Sequence, residues 1–464
     1  MAAIFDSLIF IVSKGLNTFG LGTPSTGKSD GELTVVDSRT SKSYTIPITD
    51  NTVNAIDFRH ISTLGLTASP LERYEHGMRI QDPGFRNTIV CESSITYIDG
   101  LKGKIQYRDR TLDELMEHND FEDVAFLLIW GQLPSAAAKE SFRLKLAARA
   151  NPPAGVEETI RSFPRDAPYH LPIIAGLSAW AAANPSTIPI FAGKELYLGK
   201  PEAVDEGVLT AFAAIVTVTA LTYCHQRDRK FTRPDPNASV VENILRMMGA
   251  GIDETTGRPL DKMVRILNKL WIIYADHEMT NSTAAAMHVG STLADPLATL
   301  IAGASAGSGP LHAGAIDLAY KNFQRIGTKA NVPQVIEDVK AKKYRLFGYG
   351  HRIYKAIDPR VKHLRKMLGE LQVDEHTTPE LAVAMEIDRI AATDPYFTSR
   401  NLNVNADLYG CFVFSAMGFE SDIITALMLS ARAIGGMAHW REMMGKPANI
   451  WRPLQRFTGE VIGP

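Results

Sequence analysis

At 464 residues the chain is longer than one hydrophobic core usually supports, so two structural lobes are expected. Apolar residues at 45% and charged residues at 22% exclude a largely disordered chain, and a formal net charge of −2 gives no reason to expect nucleic acid or an anionic membrane as partner. The start of the chain lacks the basic opening of a secretory leader and the Arg-rich character of a transit peptide. Its last residues, Val461-Ile-Gly-Pro464, are no peroxisomal address. Cys91, Cys224 and Cys411 are too scattered for a disulfide framework or a zinc spacing. These features predict a soluble, cytoplasmic protein.

Taken in chain order, Gly22-Thr-Pro-Ser-Thr-Gly27-Lys28-Ser29 matches a phosphate-loop pattern. That loop needs a buried strand before it and a helix after it. Here the flanks are Asn17-Thr-Phe-Gly-Leu-Gly and a strand-like Glu32-Leu-Thr-Val-Val36, so it is expected to bind no nucleotide. Residues 32–64 read as short strands, as do 88–99 and 103–107, with turns at Asp-Gly and Lys-Gly. From residue 111 the apolar period changes: Leu112, Leu115, Met116, Phe121, Val124, Ala125, Leu127 and Leu128 follow helical spacing. Helices are expected at 137–150, 171–184, 204–225, 239–250, 259–275, 280–305 and 421–438. The run 209–223 is charge-free but short for a bilayer and contains four threonines, so it reads as a buried helix. The class is mainly α.

Two motifs are decoys by context. Gly303-Ala-Ser305-Ala-Gly307 fits a nucleophile elbow, but the preceding residues are helical rather than a strand, so a serine hydrolase is not expected. Asp276-His277-Glu278 begins like a zinc motif, yet Asn281 stands where the second histidine belongs, and no metal site follows. The stretch Phe347-Gly-Tyr-Gly-His351-Arg-Ile-Tyr-Lys-Ala-Ile-Asp-Pro-Arg360 is more informative. It combines glycines that admit a close ligand, a histidine suited to proton work, and an arginine fork for an anion. Gly307-Ser-Gly-Pro310-Leu-His312 places a second histidine in an expected first helical turn, where the positive helix end would keep it neutral.

In order, Asp276-His277-Glu278, Gly309-Pro-Leu-His312, Gly348-Tyr-Gly-His351-Arg-Ile-Tyr-Lys and Asp358-Pro-Arg360 resemble the signature segments of citrate synthase. Ser430-Ala-Arg432-Ala-Ile-Gly and Ile450-Trp-Arg452-Pro resemble the family's two C-terminal arginine motifs. Asp82-Pro-Gly-Phe, Glu92-Ser and Tyr97-Ile-Asp-Gly100 resemble its N-terminal signature. The resemblance implies a mainly α, two-domain citrate synthase-like fold with a small N-terminal β region. Its divisions would be an extension at 1–59, a large domain at 60–315, a small domain at 316–425 and a return to the large domain at 426–464.

The implied activity condenses an acyl-CoA with oxaloacetate and hydrolyses the thioester, turning an acyl group into an alkyl group on transfer. It uses no cofactor, since the CoA thioester is a substrate. The catalytic residues would be His312, His351 and Asp407, and the oxaloacetate ligands His277, Arg360, Arg432 and Arg452, the last supplied across a homodimer with a shared site. Leu346, Phe347, Gly348, Tyr349 and Gly350 would contact CoA. The base motif departs from the family's Asn-Val-Asp, reading Asn403-Val-Asn405-Ala-Asp407. Anchoring on Asn-Val selects Asn405, whereas anchoring on the downstream Ala-Met-Gly418 selects Asp407; an amide cannot accept the proton, so Asp407 is expected. His312 is followed by Ala-Gly, and Asp166-Ala-Pro-Tyr-His170 also departs from the family pattern, changes that would reshape the acyl pocket. The alternatives are an alkylcitrate synthase using a longer acyl-CoA and an inactive CoA-binding or scaffold protein.

Overall fold

The computed structural model describes residues 29–65 and 67–462, so the phosphate-loop match through Lys28 lies outside the described residues. The chain divides into two compact units, Met1–Glu92 and Ser93–Pro464.

In the first unit, β1 (Ser29–Asp37), β2 (Lys42–Thr49) and β3 (Thr52–Val53) form an antiparallel sheet in that order. The turn between β1 and β2 is held by Asp37, whose Oδ1 accepts from the Arg39 backbone at 3.0 Å and from its Nε at 2.8 Å. The expected strand at 88–99 keeps only its last four residues. Ile89 and Val90 are 71% and 43% exposed and pair with no strand.

The second unit opens with a hairpin, β4 (Thr96–Asp99) and β5 (Lys104–Tyr107), edged by β6 (Arg110–Thr111). Helices follow. The centre of their packing is α1 (Pro201–Gln226). Among the described residues it is the one helix long and apolar enough to cross a membrane, but 94% of its most apolar window is buried, as a core helix requires. Next come α2 (Asp261–Tyr274), α3 (Asn281–Gly290) and α4 (Pro296–Gly307). The single helix expected over 280–305 is thus two. Leu293 turns left-handed at φ 63°, Pro296 cannot continue a helix, and Asp295 Oδ1 caps α4 by accepting from Leu297 N and Ala298 N at 3.0 Å each. The break lets α3 and α4 pack against each other.

Beyond them lie α5 (Ala315–Ile326), α6 (Val361–Leu371), α7 (Pro379–Ala391) and α8 (Ala406–Ala416), with α5 and α6 packed on α8. The last helix, α9 (Ile424–Met444), returns to lie on α1, and Ile424, Leu427, Ala431, Ile434 and Trp440 are fully buried along it. Among the described residues the architecture is mainly α with two small antiparallel sheets.

Candidate active site

The site grows from the place where α2 ends. The Tyr107 hydroxyl of β5 donates to Ile272 O and Asp276 O, both at 3.1 Å, which holds the last turn of α2 and the residues after it. Asp276 is fully buried; its Oδ2 accepts from the Thr96 hydroxyl at 2.6 Å and from Glu278 N at 3.1 Å, and lies 3.4 Å from His439 Nε2. Burial opposes the charge of Asp276, but His439 and Arg432 hold it below the usual carboxylate range. On this anchored turn His277 is buried, with Nε2 3.1 Å from the Tyr354 hydroxyl and its ring 5.3 Å from that of His351. Burial first, then Arg360 and Arg432, keep His277 neutral.

The Gly-rich stretch is a loop clamped to the start of α8. Gly350 N donates to Asn403 O at 2.7 Å, Asn405 N donates to Gly348 O at 3.0 Å, and Asn405 Nδ2 donates to Gly350 O at 2.8 Å. Gly348 adopts φ 83°, and a Cβ there would lie 2.8 Å from Leu408 Cβ, so the clamp requires glycine for two reasons. Tyr349 is tied down by donating to Asp388 Oδ1 at 2.7 Å, while Leu346 and Phe347 are partly buried at the loop's entry. His351 Nδ1 accepts from Ile353 N and Tyr354 N at 3.1 and 3.2 Å, which leaves the neutral ring's proton on Nε2 as a free donor. Burial, then Arg360, pull its pKa down to about 4. Arg360 closes the loop. Its Nε and Nη2 donate to the two oxygens of buried Asp358 at 2.9 and 2.6 Å.

His312 lies in the turn before α5, three residues short of the helix and not in its first turn. Gly314 N donates back to Gly307 O at 3.1 Å, and this folded-back turn occupies the place where a helix would start. Its neutrality therefore has a different origin from a helix end: burial and the Arg432 charge lower the pKa to about 4. His312 Nε2 accepts from Ser282 N at 3.2 Å and sits 2.8 Å from Ser282 Oγ, so the proton is on Nδ1.

Asn405 and Asp407 separate cleanly. Asn405 is the N-cap of α8, its Oδ1 accepting from Asp407 N at 2.9 Å while its amide holds Gly350. Among the described residues nothing donates to the Asp407 carboxylate. Burial raises its pKa to about 6, with Arg360 and Arg432 opposing. Arg432 is fixed by Nε donating to Tyr274 O at 2.7 Å. The Arg360 charge acts on His277, His351 and Asp407, and that of Arg432 on His277, His312 and Asp407, so these six side chains share one field. Arg452 is apart. It is exposed on the coil after α9, with no hydrogen bond or ion pair among the described residues.

The decoys resolve locally. Ser305 is inside α4, its hydroxyl spent on Ile301 O at 2.8 Å, and a Cβ at Gly307 would meet Leu429 Cδ2 at 2.6 Å, so the small residues serve helix packing. The sequence reading missed Asp358, Tyr354, Ser282 and Tyr274. Asp358 was legible as the carboxylate two residues before Arg360; the other three meet the site only through tertiary contact.

A set of neutral histidines, paired arginines and one partly buried carboxylate with a raised pKa has the chemistry of a carbon-acid enzyme acting on an anionic substrate. The family model of the citrate synthase C-terminal domain matches residues 84–454, and the chain belongs to the citrate synthase family as a citrate synthase-type condensing enzyme. It is 45% identical to citrate synthase-like protein oryE of Aspergillus oryzae, over 92% of this chain and 96% of that one. It is 38% identical to alkylcitrate synthase phiJ of Fungal sp., over 93% and 94% of the two chains. The solved citrate synthase of Thermotoga maritima superposes with a TM-score of 0.71 at 27% identity, covering 82% of this chain and 96% of that chain.

Proposed function

We propose that this site condenses an acyl-CoA with oxaloacetate and then hydrolyses the product thioester, releasing CoA. The observation that carries this reading is Asp407, a carboxylate near pKa 6 with no donor among the described residues, sharing the field of Arg360 and Arg432 with two histidines kept neutral. A thioester α-proton is weakly acidic, so a base needs a donor aimed at the forming enolate oxygen. Asp407 takes the proton and His312 Nδ1–H donates to that oxygen. The enolic carbon attacks the ketone carbon of oxaloacetate, whose oxygen takes up the proton of His351 Nε2; His351 then regains a proton from solvent and Asp407 gives up the α-proton, so both return to their starting states. Water then cleaves the thioester, leaving carboxylate and free thiol.

His277, Arg360 and Arg432 hold the dicarboxylate, with Arg452 supplied by a second copy in a homodimer. Arg360 and Arg432 both lower the Asp407 pKa. Once their charge is spent on substrate carboxylates that influence fades, and the base strengthens when oxaloacetate is bound. The loop from Leu346 to Gly350 receives CoA, and no resident cofactor takes part. The moving parts are a large lobe at 60–315 with 426–464 and a small lobe at 316–425. Their two crossings lie side by side, where Thr425 N donates to Asp317 Oδ1 at 3.2 Å. The compartment is cytoplasmic. A second reading, a longer acyl chain giving an alkylcitrate, is favoured by the alkylcitrate synthase among the relatives and by Ala313 beside His312.

The test is a steady-state screen with oxaloacetate across acetyl-, propionyl- and longer acyl-CoAs, following free thiol. Release with acetyl-CoA preferred supports citrate formation, and preference for a longer chain selects the second reading. No thiol release with any of them overturns both.

A further inference from the structure

The Tyr274 hydroxyl is buried and has no hydrogen-bond partner among the described residues. Leaving a buried hydroxyl unpaired is costly, so its retention calls for a physical reason. The residue sits at the end of α2, where every other part of it is engaged by the site. Its carbonyl accepts from Arg432 Nε at 2.7 Å, its ring lies 5.9 Å from the Arg360 guanidinium carbon, and it stacks on Phe414 of α8 at 6.3 Å. The hydroxyl presses on α8 at Gly410, where an added Cβ would lie 2.2 Å away. Gly410 is three residues from Asp407, so both occupy one face of that helix, about one turn apart. A side chain at position 410 would fill this space, whereas glycine keeps it open for the phenol.

We propose that Tyr274 is a positioning residue that donates its hydroxyl hydrogen to the Asp407 carboxylate in the working enzyme, aiming the base at the substrate α-carbon; this rests on Asp407 being the base. The charged groups facing the hydroxyl agree with a donor role. After burial, the Asp407 charge is the largest influence pushing the phenol up; Asp358 and Cys411 add to it and Arg360 opposes it, so the phenol stays protonated at every working pH. With Asp407 lacking any other donor, Tyr274 is the buried proton placed to meet it. The arrangement also accounts for the carboxylate's freedom before substrate arrives: oxaloacetate draws Arg360 and Arg432 away, and the phenol remains to hold it.

Tyr274→Phe separates this role from a structural one. Removing an unpaired buried hydroxyl leaves stability unchanged or improved, so the melting temperature should hold or rise. Meanwhile solvent exchange of the acyl-CoA α-protons, measured with an unreactive oxaloacetate mimic, should fall about tenfold, the scale of one hydrogen bond to a charged group. The acid limb of kcat should move to higher pH, because the carboxylate loses a bond that favours its charged form, and KM for oxaloacetate should stay within about twofold. In an Asp407→Asn background the same substitution should have no further effect on exchange. Parental exchange and an unmoved acid limb in Tyr274→Phe, with Asp407→Asn inert, overturn the Tyr274 role and leave the base intact. Near-parental exchange in Asp407→Asn overturns both.

Discussion

The helices α4 and α8 are alike in length and in their small, apolar composition, and each carries a residue with the chemistry of a catalyst. In α4, Ser305 donates to the carbonyl one turn back, as a helical serine does when nothing else claims it. In α8, Asp407 follows a capping asparagine that accepts from the Asp407 N–H, while the Asp407 carboxylate is partly buried and has no donor among the described residues. A reactive side chain is one the fold desolvates and declines to satisfy. The motif around Ser305 has the letters of a site, and the segment around Asp407 has its energetics.

Asp407→Asn is the sharpest way to break this comparison. Volume and helix are kept, and turnover should fall by about 10²–10⁴, the usual scale of a lost general base. Alpha-proton exchange should vanish with it, and adding Asn405→Asp should not restore either, because Asn405 faces the backbone of Gly350 and Asp407. Restored exchange in the double variant would move the base to position 405.

The shared-site proposal ranks next. Arg360→Ala is a poor probe, since it strands the buried Asp358 carboxylate. Arg432→Ala and Arg452→Ala should each lose most activity, and subunit exchange between them should recover part of it through hybrid dimers carrying one complete site. No recovery despite demonstrated exchange would place both arginines in one chain's site.

The rate should also follow one ionisation. With Asp407 near 6 and His312 and His351 near 4 in the free enzyme, kcat/KM should fall about tenfold per pH unit below 6, while both histidines stay neutral down to about 4. An acid limb centred near 4, or a slope of two, would sink that assignment.

Stability should move in the opposite sense. The folded pKa of Asp407 lies above its unfolded value, so the folded chain holds this proton more tightly. The cost of its charge is absent at low pH and complete above about 6. Asp407→Asn should therefore unfold at higher temperature than the parent at pH 8, by on the order of 2 kcal/mol, with the gap closing below about pH 4. The smallest effects belong to the decoys. Ser305→Ala and Lys28→Ala should each keep kcat within about threefold, and a hundredfold loss from either would restore its motif to consideration.

Local pattern determined a large part of this protein. The period of Leu112, Leu115, Phe121 and Val124, the charge-free run of α1 and the run of α9 were readable as helices because burial of one face is written in consecutive residues. The histidine and arginine motifs were readable because each packs several functional groups into a few positions. Tertiary structure decided the rest. Whether residues 88–95 pair as a strand depends on a partner elsewhere, and the single helix expected over 280–305 became two where the cap at Asp295 and left-handed Leu293 let α3 and α4 pack. The neutrality of His312 comes from burial and Arg432, 120 positions along the chain, and not from a local helix end. Tyr274 meets Gly410 only in the folded state, because an unsatisfied hydroxyl is a property of what surrounds it, and no spacing in one dimension encodes that.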